Sequence, residues 1–222
     1  MHNLSKESFL QFKQHLEKGL KYLGIKAFDH QIDMMAVHAR ELMVWNKKIN
    51  LTAIKDPLKI AEKHFLDSIA SISLFENKKN LIDLGAGGGF PGIPIKIMNP
   101  LLKIVLIDAS RKKINFLKHL IRLLHLDNIE AVHSRVEDLH GKEAYKKKFD
   151  VVISRAFTGL SGFAGLALPF LENEGRIYAM KGRNWNREIT PELLKKFNLK
   201  TLHYRLPFEK SDRYVLKLSA KR

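Results

Sequence analysis

Residues 80–94 read NLIDLGAGGGFPGIP, a short apolar run holding one carboxylate, Asp83, followed by Gly85, Gly87, Gly88, Gly89, Gly92 and two prolines. Glycine lacks the Cβ that keeps a backbone away from its neighbour, so a loop this rich in it suits close approach to a bound molecule. Further acids stand at matching places downstream: KIVLID ends in Asp108, and HSRVEDL carries Glu137 and Asp138. Gly87, Gly89 and Gly92 match G-x-G-x-x-G, the pattern that rests a pyrophosphate on a helix N-terminus. Its register is poor, because the first glycine after the strand is Gly85, and a pattern begun there meets Phe90 at its third glycine position. Charge decides between ligands. Carboxylates at strand ends repel a pyrophosphate and attract a nucleoside carrying ammonium and sulfonium groups. The stretch therefore predicts an S-adenosylmethionine site. Asp83, Gly85 and Gly87 belong to its loop, Asp108 accepts from both ribose hydroxyls, and Val136, Glu137 and Asp138 offer an apolar contact and an acid to the adenine. Taken singly, each acid would read as a loop or helix cap.

Only a parallel sheet brings such strand ends together. After residue 79 the chain alternates strand and helix: strands at 81–84, 103–108, 129–133, 149–154 and 176–180, with helices at 93–98, after Ser110, and around 160–171. In the helix after Ser110, Ile114, Leu117, Ile121 and Leu124 share a face. Two further runs, 200–206 and 214–218, have no helix between them and read as an antiparallel pair at the sheet edge. Before the sheet, apolar residues recur at helical spacing: Phe9, Phe12, Leu16 and Leu20, then Ile32, Met35, Ala39, Leu42 and Met43. A third stripe, Leu58, Ala61, Phe65, Ile69 and Ile72, follows Asp56 as N-cap and Pro57 at the first helical position. The expected fold class is α/β, Rossmann-like, a mostly parallel seven-stranded sheet with an antiparallel edge and an N-terminal helical extension.

Composition narrows the partners. The 222 residues carry 39 Lys and Arg against 23 Asp and Glu, a formal charge of +16. That surplus favours a polyanion, whose neutralised phosphates release counterions, although a lysine-rich surface also serves solubility. Basic clusters stand at Lys47–Lys48, Arg111–Lys113, Lys146–Lys148 and at Arg183 with Arg187. The absence of cysteine removes disulfides, thiolate zinc sites and a cysteine nucleophile. The ten histidines have no convincing metal-ligand spacing, and no metal is expected. No run approaches the ~18 apolar residues of a membrane helix, and the start has no signal-peptide core, so a cytoplasmic protein is expected.

The acceptor of a methyl group is constrained by what is missing. Enzymes that methylate exocyclic amines commonly carry Asn/Asp-Pro-Pro-aromatic after the fourth strand, where this chain has Ser154-Arg155-Ala156-Phe157. Methylation at C5 of a pyrimidine normally needs a cysteine. Guanine N7 needs neither device: its lone pair is free at neutral pH, so alignment suffices and no catalytic base is assigned. Another RNA or a protein as acceptor, or a binding protein without catalysis, are the competing readings.

At WNKKINLT (45–52), HFLDSI (64–69), IDLGAGGGFPGIP (82–94), HSRVEDL (133–139), VISRAF (152–157) and AMKG (179–182), the sequence closely resembles the glucose-inhibited-division-B family, RsmG. These are bacterial guanine-N7 methyltransferases of 16S ribosomal RNA. The resemblance spans about residues 40–183. The pattern of elements divides the chain into a helical extension at 1–75 packed on a methyltransferase domain at 76–222, and before residue 40 and after Arg183 that division rests on the pattern alone. The cofactor pocket would be lined by Gly85, Phe90, Val136, Glu137 and Arg155, with Asp108 on the ribose. The partner would be 16S ribosomal RNA or a small-subunit assembly intermediate, met by a monomer. Ala86 and Gly88 stand where relatives vary. Arg155 would hold the methionine carboxylate or an RNA phosphate, or else pair with Glu137 or Asp138. Lys47, Lys48, Lys181 and Arg183 are the candidates for RNA contact. Asn50, His64 and Asp67 read as structural hydrogen-bonding groups.

Overall fold

The computed structural model describes residues 6–155 and 158–221. Ala156 and Phe157 of the VISRAF motif lie outside them. Helices α1 (Lys6–Tyr22) and α2 (Asp29–Ile49) bury the anticipated stripes, with Phe12, Leu16, Leu20, Ile32, Met35, Ala39 and Leu42 in the core. Asp56 caps α3 (Pro57–Ile60), its Oδ1 accepting the Lys59 N–H at 2.8 Å. The third stripe then departs from a regular helix. Residues Ala61–Leu66 form a π-helical turn before α4 (Asp67–Ile69). The wider turn rotates the buried face, so Ile60, Leu66, Glu62 and Asp67 are buried while Leu58 and Ile72 are only half-buried. A π turn inside a helix commonly marks a functional site.

The sheet follows: β1 (Asn80–Leu84), α5 (Gly92–Met98), β2 (Lys103–Asp108), α6 (Arg111–Leu123), β3 (Ile129–His133), β4 (Phe149–Arg155), α7 (Leu160–Ala167) and β5 (Leu171–Lys181). Then come α8 (Pro191–Lys196), β6 (Phe197–Arg205) and β7 (Asp212–Ala220). β5 begins five residues earlier than its apolar pattern suggests, beyond an irregularity opposite Phe149 and Val151. The short α8, unanticipated, starts on Thr190, whose hydroxyl accepts the Leu193 N–H.

The seven strands lie in the order β3-β2-β1-β4-β5-β7-β6. The first five are parallel, and β7 runs antiparallel to both β5 and β6. This is the expected mostly parallel seven-stranded sheet with its antiparallel edge. One face packs α1 to α6 and the π turn through residues such as Leu42, Phe65, Ile95 and Phe116; the other packs α7, the short turn after it and α8 through Phe163, Phe170 and Leu193. Each such fully buried Leu or Phe stabilises the fold by about 1.5–3 kcal/mol. Strand order reverses between β1 and β4, and in an open α/β sheet the carboxyl ends at that point form the ligand crevice.

Candidate functional site

The glycine loop leaves β1 in conformations that side chains resist: Gly85, Gly87 and Gly89 have φ of 79°, 56° and 88°. The Gly85 and Ala86 N–H groups both donate to the Ile107 carbonyl at 2.9 Å, lashing the loop to β2. Gly92, at the start of α5, sits so close to β1 that a Cβ there would collide with Leu106 and lie 2.9 Å from Asp83 Oδ2. The loop therefore hugs the sheet, with backbone as its upper surface.

Asp108, the last residue of β2, takes the Gly87 N–H on Oδ2 at 3.0 Å and the Ser110 N–H on Oδ1 at 2.8 Å. Ser110 occupies the N-cap of α6, but its side chain makes no cap hydrogen bond. Beside this clamp opens a crevice of about 310 Å³, lined by Gly85, Asp108, Lys113, Arg135, Val136 and Glu137 among others. Val136 is buried in its wall, and Glu137 is exposed at the start of a short 3-10 turn, Glu137–Leu139. Four of the sequence-derived cofactor residues, Gly85, Asp108, Val136 and Glu137, thus meet at one place, and Gly87 is tied to it. Lys113, from the Arg111–Lys113 basic cluster, also reaches this place: its Nζ stands 3.9 Å from Asp108 Oδ2, in the first turn of the helix that follows that acid.

Asp83, Phe90 and Arg155 lie elsewhere. Asp83 is wholly buried under the loop, its Oδ2 accepting the Gly92 N–H at 3.0 Å and its Oδ1 without a hydrogen-bond partner. Burial pushes this carboxyl up to about 7, against the pull of the Gly92 N–H toward the ionised form. Phe90 is sandwiched between the rings of His38 and His64, each 4.7 Å away and near-parallel, with the Arg155 guanidinium 5.2 Å from its centroid. Its ring supports the loop from behind and is 5% exposed. The His38 Nε2–H donates to the Gly88 carbonyl at 2.8 Å, and burial holds this imidazole neutral with a pKa of about 3.

Arg155, at the tip of β4, turns to the π turn and not to Glu137 or Asp138. It donates to the Lys63 carbonyl at 2.8 Å and to His64 Nδ1 at 3.0 Å, and lies 3.4 Å from Asp67 Oδ2. Since a guanidinium only donates, Nδ1 accepts and the proton sits on Nε2, which donates to Thr52 Oγ1 at 2.7 Å. Burial, and then the Arg155 charge, lower the His64 pKa to about 3. Asp67 also accepts from Tyr204 at 2.8 Å and pairs with Arg213 at 3.3 Å. Glu62 of the same turn accepts the Phe208 and Glu209 N–H groups at 2.8 and 2.9 Å. The π turn thus fastens the N-terminal helices to the carboxyl ends of β4 and β6 and to the β6–β7 turn. His64 and Asp67 thus serve as the structural hydrogen-bonding groups the sequence suggested, but spacing gave no sign of their partners across the hub, which lie 88 to 147 residues away.

The model of the GidB family, rRNA small subunit methyltransferase G, matches residues 31–215. The chain belongs to the GidB family. A protein named Ribosomal RNA small subunit methyltransferase G from Geotalea uraniireducens (strain Rf4) is 41% identical over 209 residues, covering 92% of this chain and 94% of its own. Another of that name, from Geobacter sp. (strain M21), is 45% identical over 177 residues, covering 80% of this chain and 81% of its own. Among solved structures, a SAM dependent methyltransferase from Aquifex aeolicus superposes with a TM-score of 0.55 at 15% identity, covering 76% of this chain and 96% of that one. The fold is therefore that of these methyltransferases.

In this GidB chain the basic candidates fall in two regions. Lys47 and Lys48 are exposed on the last turn of α2. Lys181 ends β5, but its ammonium is held by Glu188 at 2.7 Å and by the Thr158 carbonyl at 3.2 Å, with its side chain 13% exposed. Arg183, just beyond, is 76% exposed. Among the described residues no group of three or more His, Asp or Glu could hold a metal ion, and no helix is long and apolar enough to cross a membrane.

Proposed function

We propose that this GidB-family chain transfers a methyl group from S-adenosylmethionine to N7 of a guanine in 16S ribosomal RNA, as a cytoplasmic monomer acting on free RNA or a small-subunit assembly intermediate. The observation that carries the reading is the Asp108 clamp on Gly87 beside a crevice edged by Glu137, a backbone-rich cleft whose two carboxylates suit the hydroxyls and amine of a nucleoside, with Lys113 and Arg135 at its rim. Each Asp108 oxygen spends one lone pair on a backbone N–H, which leaves capacity for two ribose hydroxyls. Val136 offers apolar surface to a purine, and Glu137 an acceptor for its exocyclic amine. Asp83 has an unpartnered oxygen under the loop, where a nearby positive charge would favour its ionised form. When bound, the donor supplies a methyl group activated by its sulfonium.

The protein's own task is alignment. Guanine N7 has no proton to lose, and His64, packed against the β4 tip, has both ring nitrogens engaged and a pKa of about 3, so it takes up no proton near neutrality. A chemistry without a general base fits these groups. In A-form RNA the major groove that displays N7 is too narrow for side chains, so the target guanine is unpaired or displaced from its stack. The test is to map modified nucleotides in a strain lacking the chain. Loss of one 7-methylguanosine from 16S RNA is expected, and an unchanged modification profile removes the assignment.

A further inference from the structure

The carboxyl edge of the sheet continues past β4 and β5 into a feature the cofactor crevice does not use. Tyr214 of β7 is paired in register with His203 of β6 and with Lys181 of β5, so all three project from the same face. The Tyr214 and His203 rings are 4.9 Å apart, and Trp185 stands 5.5 Å from Tyr214 on the other side. His203 is exposed, and Tyr214 and Trp185 are half-buried, packed against the core on this face. The three rings form a row on the face opposite the N-terminal helices.

Cations frame this row, and a single carboxylate arranges them. Asp212 Oδ1 lies 2.9 Å from His203 Nε2 and 3.0 Å from Arg205 Nε, while Oδ2 lies 3.5 Å from an Arg183 terminal nitrogen. The hydrogen bonds from His203 and Arg205 hold the Asp212 carboxyl down to about 2, so it stays ionised at neutral pH. One negative charge cannot neutralise two guanidiniums. Arg183 and Arg205 side chains are 76% and 58% exposed, each with N–H groups left over. Solvent-accessible rings beside under-neutralised guanidiniums are what unpaired nucleotides require: bases stack and phosphates take the cations. A duplex hides its base faces and would gain only the charge.

We propose that Trp185, Tyr214 and His203, flanked by Arg183 and Arg205, form a stacking platform for unpaired nucleotides of the RNA substrate next to the target guanine. The location fits, because strands are about 4.8 Å apart and β7 is three strands from β1, so the platform begins roughly 14 Å along the same edge from the Gly85 end of the crevice. It rests on the RNA-methyltransferase reading but adds which surface takes the RNA and in what form.

The test uses the full chain in a Trp45→Phe background, which leaves Trp185 as the sole tryptophan fluorophore. Titration with a short single-stranded oligoribonucleotide should quench Trp185, and the same sequence as a duplex should quench it far less. His203→Ala with Arg205→Ala should weaken single-strand binding at least about fivefold, whereas Tyr214→Phe, which keeps the ring, should stay within about twofold. Calorimetry with S-adenosylmethionine, expected unchanged in every variant, certifies the fold. Single-strand binding without quenching, or unaltered affinity in the double variant, overturns the platform while leaving the methyltransferase reading intact. A wild-type chain that neither binds nor methylates ribosomal RNA overturns both.

Discussion

Asp108 and Gly87 are joined across the mouth of the crevice: the carboxylate that closes the glycine loop, at 3.0 Å from the Gly87 N–H, is the one that faces the space beside it. Loop shape and ligand contact therefore depend on one side chain. Asp108→Asn removes the charge and sets an amide NH2 against one of two backbone donors. Hydrogen bonds to a charged group are worth about 1.5–3 kcal/mol. S-adenosylmethionine affinity measured by calorimetry should accordingly fall roughly 10- to 100-fold. An unchanged dissociation constant would reduce Asp108 to a loop clasp.

The strand ends were legible because a buried parallel strand is a short apolar run with a polar stop. KIVLID and IEAVH match β2 and β3 to the residue. The crevice was legible for a related reason, since Gly85, Asp108, Val136 and Glu137 each stand at a strand end or within four residues of one. Phe90 and Arg155 were not legible as to direction. What turns them toward the N-terminal helices is His38, His64 and Asp67, brought there by tertiary packing that no spacing encodes. The π turn was hidden too, because Ala61, Phe65 and Ile69 fit a regular helix equally well. Thr190-Pro191 did carry a readable capping signal for α8, but one six-residue helix leaves almost no periodicity to support it.

Asp83 makes the protein pH-sensitive in a predictable direction. Its carboxyl is raised from 3.8 to about 7 in the fold, so the folded chain holds the proton more tightly than the unfolded chain. Stability from this group is full below about 3.8, declines as pH rises from there to about 7, and changes little above that. A bound cation favours the ionised form, so donor affinity should rise over that same interval. His38 and His64, lowered from 6.5 to about 3, act oppositely, and their share is lost as pH falls below about 6.5. The three contributions overlap between pH of about 6.5 and 8, so the difference between wild type and Asp83→Asn, and not the wild-type slope alone, isolates Asp83. Asp83→Asn should remove the downward component from the melting-temperature slope and flatten the affinity slope; slopes equal to wild type would assign the titration to another group.

Arg155 and Asp67 should behave as a coupled pair. Their side chains are 18% and 8% exposed, and Asp67 also answers Arg213 and Tyr204. Asp67→Asn leaves two guanidiniums facing a neutral group in a largely buried place, a loss of about 3–5 kcal/mol in urea denaturation. The double variant with Arg155→Met should lose less than the sum of the singles, by about 1 kcal/mol or more. Strict additivity would mean the 3.4 Å approach contributes nothing.

Lys47 and Lys48 test whether the basic surface near α2 is functional. Both are exposed on the last turn of that helix, where a cation also favours the helix dipole by about 0.3–1 kcal/mol. That local gain accounts for their presence without RNA, so affinity alone is a weak test and salt dependence is the better one. If each contacts a phosphate, Lys47→Gln with Lys48→Gln should weaken binding to all RNA sequences alike and lower the slope of log affinity against log salt by about 2. Donor affinity should not move, because neither lysine lines the crevice. A preserved slope accompanied by a small drop in melting temperature would show that the pair serves the helix end, leaving phosphate contact to the Arg183 side of the sheet.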